Sequence, residues 1–258
     1  MSGRLRPALA PALVLLGLLA FWELAARWDL LASALSIEDF LVPAPSQIAE
    51  ALWQDRTLLA ENAWVTLQEV VLGFALAATL GVGFAFALHL SETARRAVYP
   101  LLVGSQTIPI IAIAPVLVIW FGFDLGPKLA IIALICFFPI TVNTLDGLRS
   151  VDPELRKMMR TMGASRLQTL WRVEAPSALP FTFSGAKIAV AVAVIGAVFG
   201  EWAGSNEGLG HLMMSAQAQL LTARVFAAIV VLSAMAICLF GLLSLLERRV
   251  VSWQETGP

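Results

Sequence analysis

Charge is what this sequence has least of. Only 14% of its 258 residues are Asp, Glu, Lys or Arg, where a soluble domain carries about 25%. Tyrosine occurs once, and histidine and cysteine twice each. The two histidines, His89 and His211, have no further ligand-type residues clustered beside them, which argues against a metal centre. Cys136 and Cys238 both fall in apolar runs, where a free cysteine behaves as a small hydrophobe. The Gly-x4-Gly-Lys-Ser/Thr loop is missing, and none of Lys128, Lys157 and Lys187 follows a glycine. Without that phosphate cradle the chain is not expected to hydrolyse ATP. His-Glu-x-x-His and Gly-x-Ser-x-Gly are also missing, which removes the usual marks of an intramembrane enzyme. A net charge of −1 offers nothing to a nucleic acid.

What the sequence has in excess is apolar residues, 59% of the total. A soluble core of this size needs a polar shell and could not hide that much. The composition marks an integral membrane protein whose main solvent is the lipid bilayer. A helix crosses the hydrocarbon core with about 20 mostly apolar residues. Six runs meet that need, at about 7–26, 65–90, 98–121, 128–148, 181–203 and 225–246. They are too long and continuous for barrel strands, and lipid cannot satisfy open backbone groups. The expectation is one all-α transmembrane domain over residues 1–258 with six transmembrane helices. Arg4 and Arg6 before the first run also fit a signal peptide. The run's length, and Phe21, Trp22 and Glu23 where cleavage wants small residues, favour a span.

Orientation follows from Lys and Arg, which stay on the cytoplasmic side. With the N-terminus inside, the inner segments hold Arg4, Arg6, Arg95, Arg96, Arg149, Arg156, Lys157, Arg160, Arg166, Arg172, Arg248 and Arg249. The outer segments hold only Arg27, Arg56, Lys128 and Arg224, and Lys187 falls within the fifth run. Both termini are therefore expected in the cytoplasm, with a cytoplasmic loop at 149–180. There, Asp152 before Pro153 is a helix-start signal, strengthened by Glu154. The helix carries Leu155, Met158, Met159 and Met162 on one face and Arg156, Lys157 and Arg160 on others, and Gly163 with Ala164 breaks it. A second stretch, 165–173, is expected to end before Pro176 and Pro180. An amphipathic helix of this kind suits an anionic lipid surface or a docked cytosolic protein. On the outer side, the segment from Asp39-Phe40 to Pro45 reads as stiff and extended, with Ser46 capping a short helix over 47–53.

Polar groups inside spans are costly and mark candidate solute contacts, or serve as glue between helices. They are Gln106 and Thr107, beside the kink-forming Pro109 and Pro115, then Asn143 and Glu201. Asp146 and Lys187 lie near the cytoplasmic ends and are candidates to pair. Gly185, Ala189 and Ala193, then Gly196, Gly200 and Gly204, recur every four positions in the fifth run. Such a face suits packing within one chain, a subunit interface or a pore wall.

The cytoplasmic loop resembles the signature of membrane permease subunits of ATP-binding-cassette importers: Glu-Ala-Ala, three residues, Gly, nine residues, Ile, one residue, Leu-Pro. Gly163 and Pro176 match, Ala164 and Ser165 fit the Gly-Ala-Ser form, and Val173 is a conservative match. Lys157-Met158-Met159 stands in place of the triplet, and the Leu is replaced by Ala175. Leu41-Val42-Pro43-Ala44-Pro45-Ser46, then Ile108-Pro109, Ala112, Ala114-Pro115 and Trp120-Phe121-Gly122, resemble the nitrate, sulfonate and taurine branch. So do Glu201-Trp202 and Gly208-Leu209-Gly210. The stretches 105–110 and 142–153 are most similar to permeases for the hydroxymethylpyrimidine-type thiamine precursor, with riboflavin permeases as close neighbours.

The resemblance implies a second permease copy, making a homodimer, two cytosolic ATPases that use the ATP, and a periplasmic or extracellular solute-binding protein. It implies no cofactor on this chain. The loop at 149–180 would be the coupling element: Leu155, Met159 and Met162 filling a cleft on the ATPase, Arg156 and Arg160 pairing with its acidic rim, and Gly163-Ala164 supplying the bend. A pyrimidine would take amide hydrogen bonds from Gln106 and Asn143 and stacking from Trp120 and Trp202, near Thr107, Pro109 and Glu201. Sulfonate, taurine, nitrate and riboflavin are the alternative solutes. A secondary transporter is the remote alternative, resting on Glu201 as the single plausible ionisable group in mid-span.

Overall fold

Four apolar runs become helices long enough to cross a bilayer in the computed structural model, which describes residues 6–28, 38 and 41–253, with 6–12 as backbone only. Arg4 and Asp39-Phe40, used above, lie outside the described residues. The elements are α1 (Arg6–Arg27), α2 (Pro45–Gln54), α3 (Arg56–Leu90), α4 (Glu92–Ser105), α5 (Ile110–Phe121), α6 (Leu125–Arg149) and α7 (Pro153–Thr161). Then come α8 (Arg166–Thr169), a π turn (Leu170–Glu174), α9 (Ala175–Gly204), α10 (Leu209–Ala218) and α11 (Thr222–Val250). The described residues contain no strand.

The core is built on α6, which packs along both α3 and α9. Its Ile131, Ile132, Cys136, Ile140, Leu145 and Leu148 are fully buried. The approach of α9 is close because its facing residues are small. A Cβ on Gly185 would meet the Pro139 carbonyl oxygen at 2.6 Å, and one on Gly200 would stand 3.2 Å from Lys128 Cα. Gly196 faces Ile132 and Ile135, and Gly204 faces Phe123. Within the chain, this stripe packs against α6 and the turn before it. At the edge, α1 leaves Leu13 to Leu19 largely exposed, as a lipid-facing helix does.

Residues 98–121 are not one straight helix. α4 and α5 meet at 99°. Pro109 is the N-cap of α5 with an extended backbone, φ −64° and ψ 120°. A proline there offers no N–H to continue α4 and pushes the residue before it out of the helical region. The chain between turns tightly, with Thr107 N–H donating to Gly104 O at 3.1 Å.

The opposite happens at Pro176. The stretch from Ser165 does not end before it: Arg166 to Gly204 runs as a continuous helical rod of 39 residues. The π turn explains this, because Ala175 N–H bonds five residues back to Leu170 O and so carries the helix past the missing proline donor.

Two smaller expectations are corrected. Ser46 does not cap α2, which starts at Pro45 with the Gln47 side chain accepting from Ala44 N–H at 2.9 Å. The Ser46 hydroxyl donates instead to Glu23 Oε1 at 2.8 Å, tying α2 to α1. Lys187 pairs with Glu247 of α11 at 2.8 Å, not with Asp146, which is exposed on α6.

Candidate functional site

Three places gather polar or exposed groups. At one end of the bundle, α7 begins where the Asp152 carboxylate accepts from Glu154 N–H at 2.8 Å. It stops at Gly163, whose φ of +81° suits glycine. Gly163 N–H donates to Arg160 O at 2.9 Å and Ala164 N–H to Met159 O at 3.0 Å. These two bonds close the helix as a Schellman motif. A capping box between Ser165 and Gln168 then starts α8. The result is a short helix on a stiff bend, with Leu155, Met158, Met162 and Leu167 exposed and Met159 half-buried. Trp171, also exposed, stacks on Phe86 with centroids 5.7 Å apart.

The cationic face of α7 turns away from that apolar one, since successive residues step round a helix by about 100°. Arg156 Nε lies 2.8 Å from Glu174 Oε1, and its Nη2 donates to Leu148 O at 3.0 Å. Glu174 Oε2 takes His89 Nε2 at 2.8 Å. Arg156 is therefore committed within the chain, away from the apolar face. Nearby, Arg96 and Arg95 hold the Glu92 carboxyl below the usual carboxylate range.

The second place is a cavity of about 340 Å³ at the α4–α5 break, lined by Ser105, Gln106, Pro109, Ile113, Leu134 and Ile135 among others. Thr107 lies in the same turn, its hydroxyl donating to Gly104 O at 2.8 Å. Gln106, Thr107 and Pro109 are thus brought together. The other path candidates are elsewhere. Asn143 Nδ2 donates to Pro139 O at 2.8 Å and its Cβ sits against Gly185, in the α6–α9 seam. Trp120, 72% exposed, stands at the far end of α5. Trp202 Nε1 donates to Gly210 O at 3.0 Å.

The third place lies at the opposite ends of α3, α6 and α9 and is sealed. Lys128 Nζ donates to Glu69 Oε1 at 2.6 Å and to Ser205 Oγ at 2.7 Å. Glu201 accepts from the Thr66 hydroxyl at 2.6 Å and from Gly210 N–H. Thr66 in turn accepts from Leu209 N–H at 2.9 Å, and Asn62 Oδ1 from Gly208 N–H at 2.8 Å. Glu69, Thr66 and Glu201 are at most 1% exposed. The cluster pins the 205–210 turn, and Glu201 belongs to it, not to the cavity at Gln106. Sequence reasoning missed Glu69, Thr66 and Lys128. Glu69 inside the 65–90 run was the signal available.

The description "binding-protein-dependent transport system inner membrane component" belongs to the family whose profile matches residues 77–252. The formylaminopyrimidine transport permease protein ThiX of Halalkalibacterium halodurans is 40% identical over 96% of this chain and 97% of its own. The riboflavin transport system permease protein RibX of Chloroflexus aurantiacus is 36% identical over 97% of this chain and 92% of its own. Among solved structures, the methionine ABC transporter MetNI in an inward-facing conformation shares the fold, with a TM-score of 0.63 at 19% identity over 76% of this chain and 96% of that one. From the family profile and near-full-length relatives together, the chain belongs to the binding-protein-dependent transport system inner membrane components, the permease subunits of ABC importers.

Proposed function

We propose that this permease spans the bilayer six times, through α1, α3, the bent α4–α5 pair, α6, the α8–α9 rod and α11. Both termini and α7 then face the cytosol. Two copies form the transport path, two ATPases dock beneath, and a binding protein delivers solute from outside. The observation that carries the coupling role is α7 itself. It is a short helix, fixed at both ends by its own caps, that leaves Leu155, Met158 and Met162 exposed, with none of the described residues covering them. Exposed methionines suit an adaptable protein contact. ATP-driven closure of the ATPases moves α7 as a rigid body and rocks the spans to open the path alternately to either side. Leu155, Met159, Met162 and the Gly163-Ala164 bend carry that contact, and Arg160 stands at its edge.

The solute we infer is a pyrimidine precursor of thiamine, of the formylaminopyrimidine or hydroxymethylpyrimidine kind. This rests on 40% identity along almost the whole of both chains to a permease named for formylaminopyrimidine. Gln106, Thr107 and Pro109 at the broken helix are the path residues with an open cavity beside them. The exposed apolar side of α5, with Ile111, Ile119 and Trp120, supports a second copy across the path.

The test is reconstitution in proteoliposomes with the partner ATPase and binding protein. Vanadate-sensitive uptake of the labelled pyrimidine is expected. Uptake of riboflavin or a sulfonate in its place overturns the solute, and uptake driven by an ion gradient without the ATPase overturns the coupling.

A further inference from the structure

The cationic face of α7 closes one wall of a second cavity, about 510 Å³, at the ends of α3 and α6. Five arginines line it: Arg95, Arg149, Arg156, Arg160 and Arg166. The acidic groups are two, Glu92 and Glu174. Both are already shared. Glu174 serves Arg156 and His89, and Glu92 serves Arg95 and Arg96. Arg166 and Arg156 are held in position by neutral carbonyls, Leu90 O at 2.6 Å and Leu148 O at 3.0 Å. The guanidinium groups of Arg149 and Arg160, which also line the cavity, make no hydrogen bond or ion pair among the described residues.

Counting His89 as neutral, the lining therefore carries an uncompensated charge of +3, five arginines against two carboxylates. Cations gathered in a concave, partly buried space focus a positive field that favours an anion. Guanidinium forks match phosphate oxygens two at a time. The place matters as well. His89, the Leu90 carbonyl and Arg149 sit at the ends of the long apolar helices α3 and α6, and basic pockets between spans on the cytoplasmic side bind anionic headgroups.

We propose that this cavity is a phosphate-binding site, occupied by the headgroup of an anionic phospholipid of the cytoplasmic leaflet. It rests on the cytosolic placement of α7 inferred above. Free inorganic phosphate has the same chemistry and is the other source to be separated. The apolar stripe of α7 is left for the ATPase, so the two faces of one short helix sense the membrane and the motor.

The test uses the full-length permease, delipidated in detergent, without ATPase or solute. Native mass spectrometry and thermal unfolding are followed with phosphatidylglycerol, phosphatidylcholine and inorganic phosphate in turn. Phosphatidylglycerol is expected to be retained and to raise the melting temperature, with phosphatidylcholine having little effect. Arg149→Gln should weaken phosphatidylglycerol binding about tenfold, the loss of one charge-assisted bond. Arg149→Lys, which keeps the charge, should retain most of it and guards against a mere folding defect. Stabilisation by inorganic phosphate alone overturns the lipid assignment. Equal binding of the two lipids, or equal binding by wild type and Arg149→Gln, overturns the site. Because no ATP-driven step is measured, a failure here leaves the coupling role of α7 standing, and a failed transport assay leaves this site standing.

Discussion

The two ends of the α3, α6 and α9 helices hold charge in contrasting ways. At the Glu201 end, two carboxylates and one lysine are sealed from solvent, and nearly every polar atom is spent on a neighbour or on the backbone of the 205–210 turn. At the Glu174 end, arginines outnumber carboxylates around an open cavity, and apolar side chains stand in solvent. Buried charge is stable only when paired and hydrogen-bonded. Surplus charge and uncovered apolar surface are instead satisfied by something outside the chain. One end is complete when the chain folds; the other is left open, and on the function proposed above a partner completes it.

That contrast can be broken first at the closed end. Lys128→Met leaves the Glu69 carboxylate buried without its cation, an expected cost of about 3–5 kcal/mol. The variant should be lost from the monodisperse peak on size exclusion, and Lys128→Met with Glu69→Leu should recover part of it. An unchanged melting temperature for the single variant would refute the closed-end description. Next comes Gly163→Leu at the open end. Nothing lies within 4 Å of where its Cβ would stand, but φ is +81°, so the cost is local, about 1–2 kcal/mol. The protein should stay folded in the membrane while ATP-driven uptake falls at least tenfold. Normal uptake would remove α7 from the coupling role.

Asp152→Ala sharpens the same end more gently. Losing the cap should cost about 1 kcal/mol, read as faster hydrogen exchange in α7 with little change in the spans. The smallest effect is titration of Glu92. Its carboxyl is held below the ordinary value of 4.5 by Arg96 and Arg95. The ionised form is favoured by folding, so its contribution is present above the unfolded value and fades as pH falls through the lowered folded one. Glu92→Gln should flatten the decline in melting temperature below about pH 4.5 slightly, and surface screening keeps the change small. A decline as steep as in wild type would remove Glu92 from that titration.

What was legible in the sequence was local. Asp152-Pro153 and Gly163 bracketed α7 because caps and positive φ are properties of a few adjacent residues. Apolar runs announced the long helices because lipid demands length and continuity. Contacts between distant positions left no such trace. Glu69 and Lys128 are 59 positions apart, and nothing near either names the other. The two proline sites also separate only in three dimensions. Pro109 divides two helices, while Pro176 is carried through by a π turn whose five-residue bond has no sequence signature. Of the path candidates, the neighbours Gln106, Thr107 and Pro109 came out together. Asn143 and Glu201 went elsewhere because a buried amide or carboxylate takes the nearest donor or acceptor, which periodicity does not reveal.

The continuity past Pro176 has a mechanical consequence. A helix of 39 residues extends about 58 Å at 1.5 Å per residue. Leu167, beside the open end, and Glu201, inside the closed one, therefore ride on a single shaft. No loop separates the two, so the spacing between the open end and the sealed cluster is set by one continuous run of backbone hydrogen bonds. The hydrogen bond from Thr66 to Glu201 ties the far end of that run to α3.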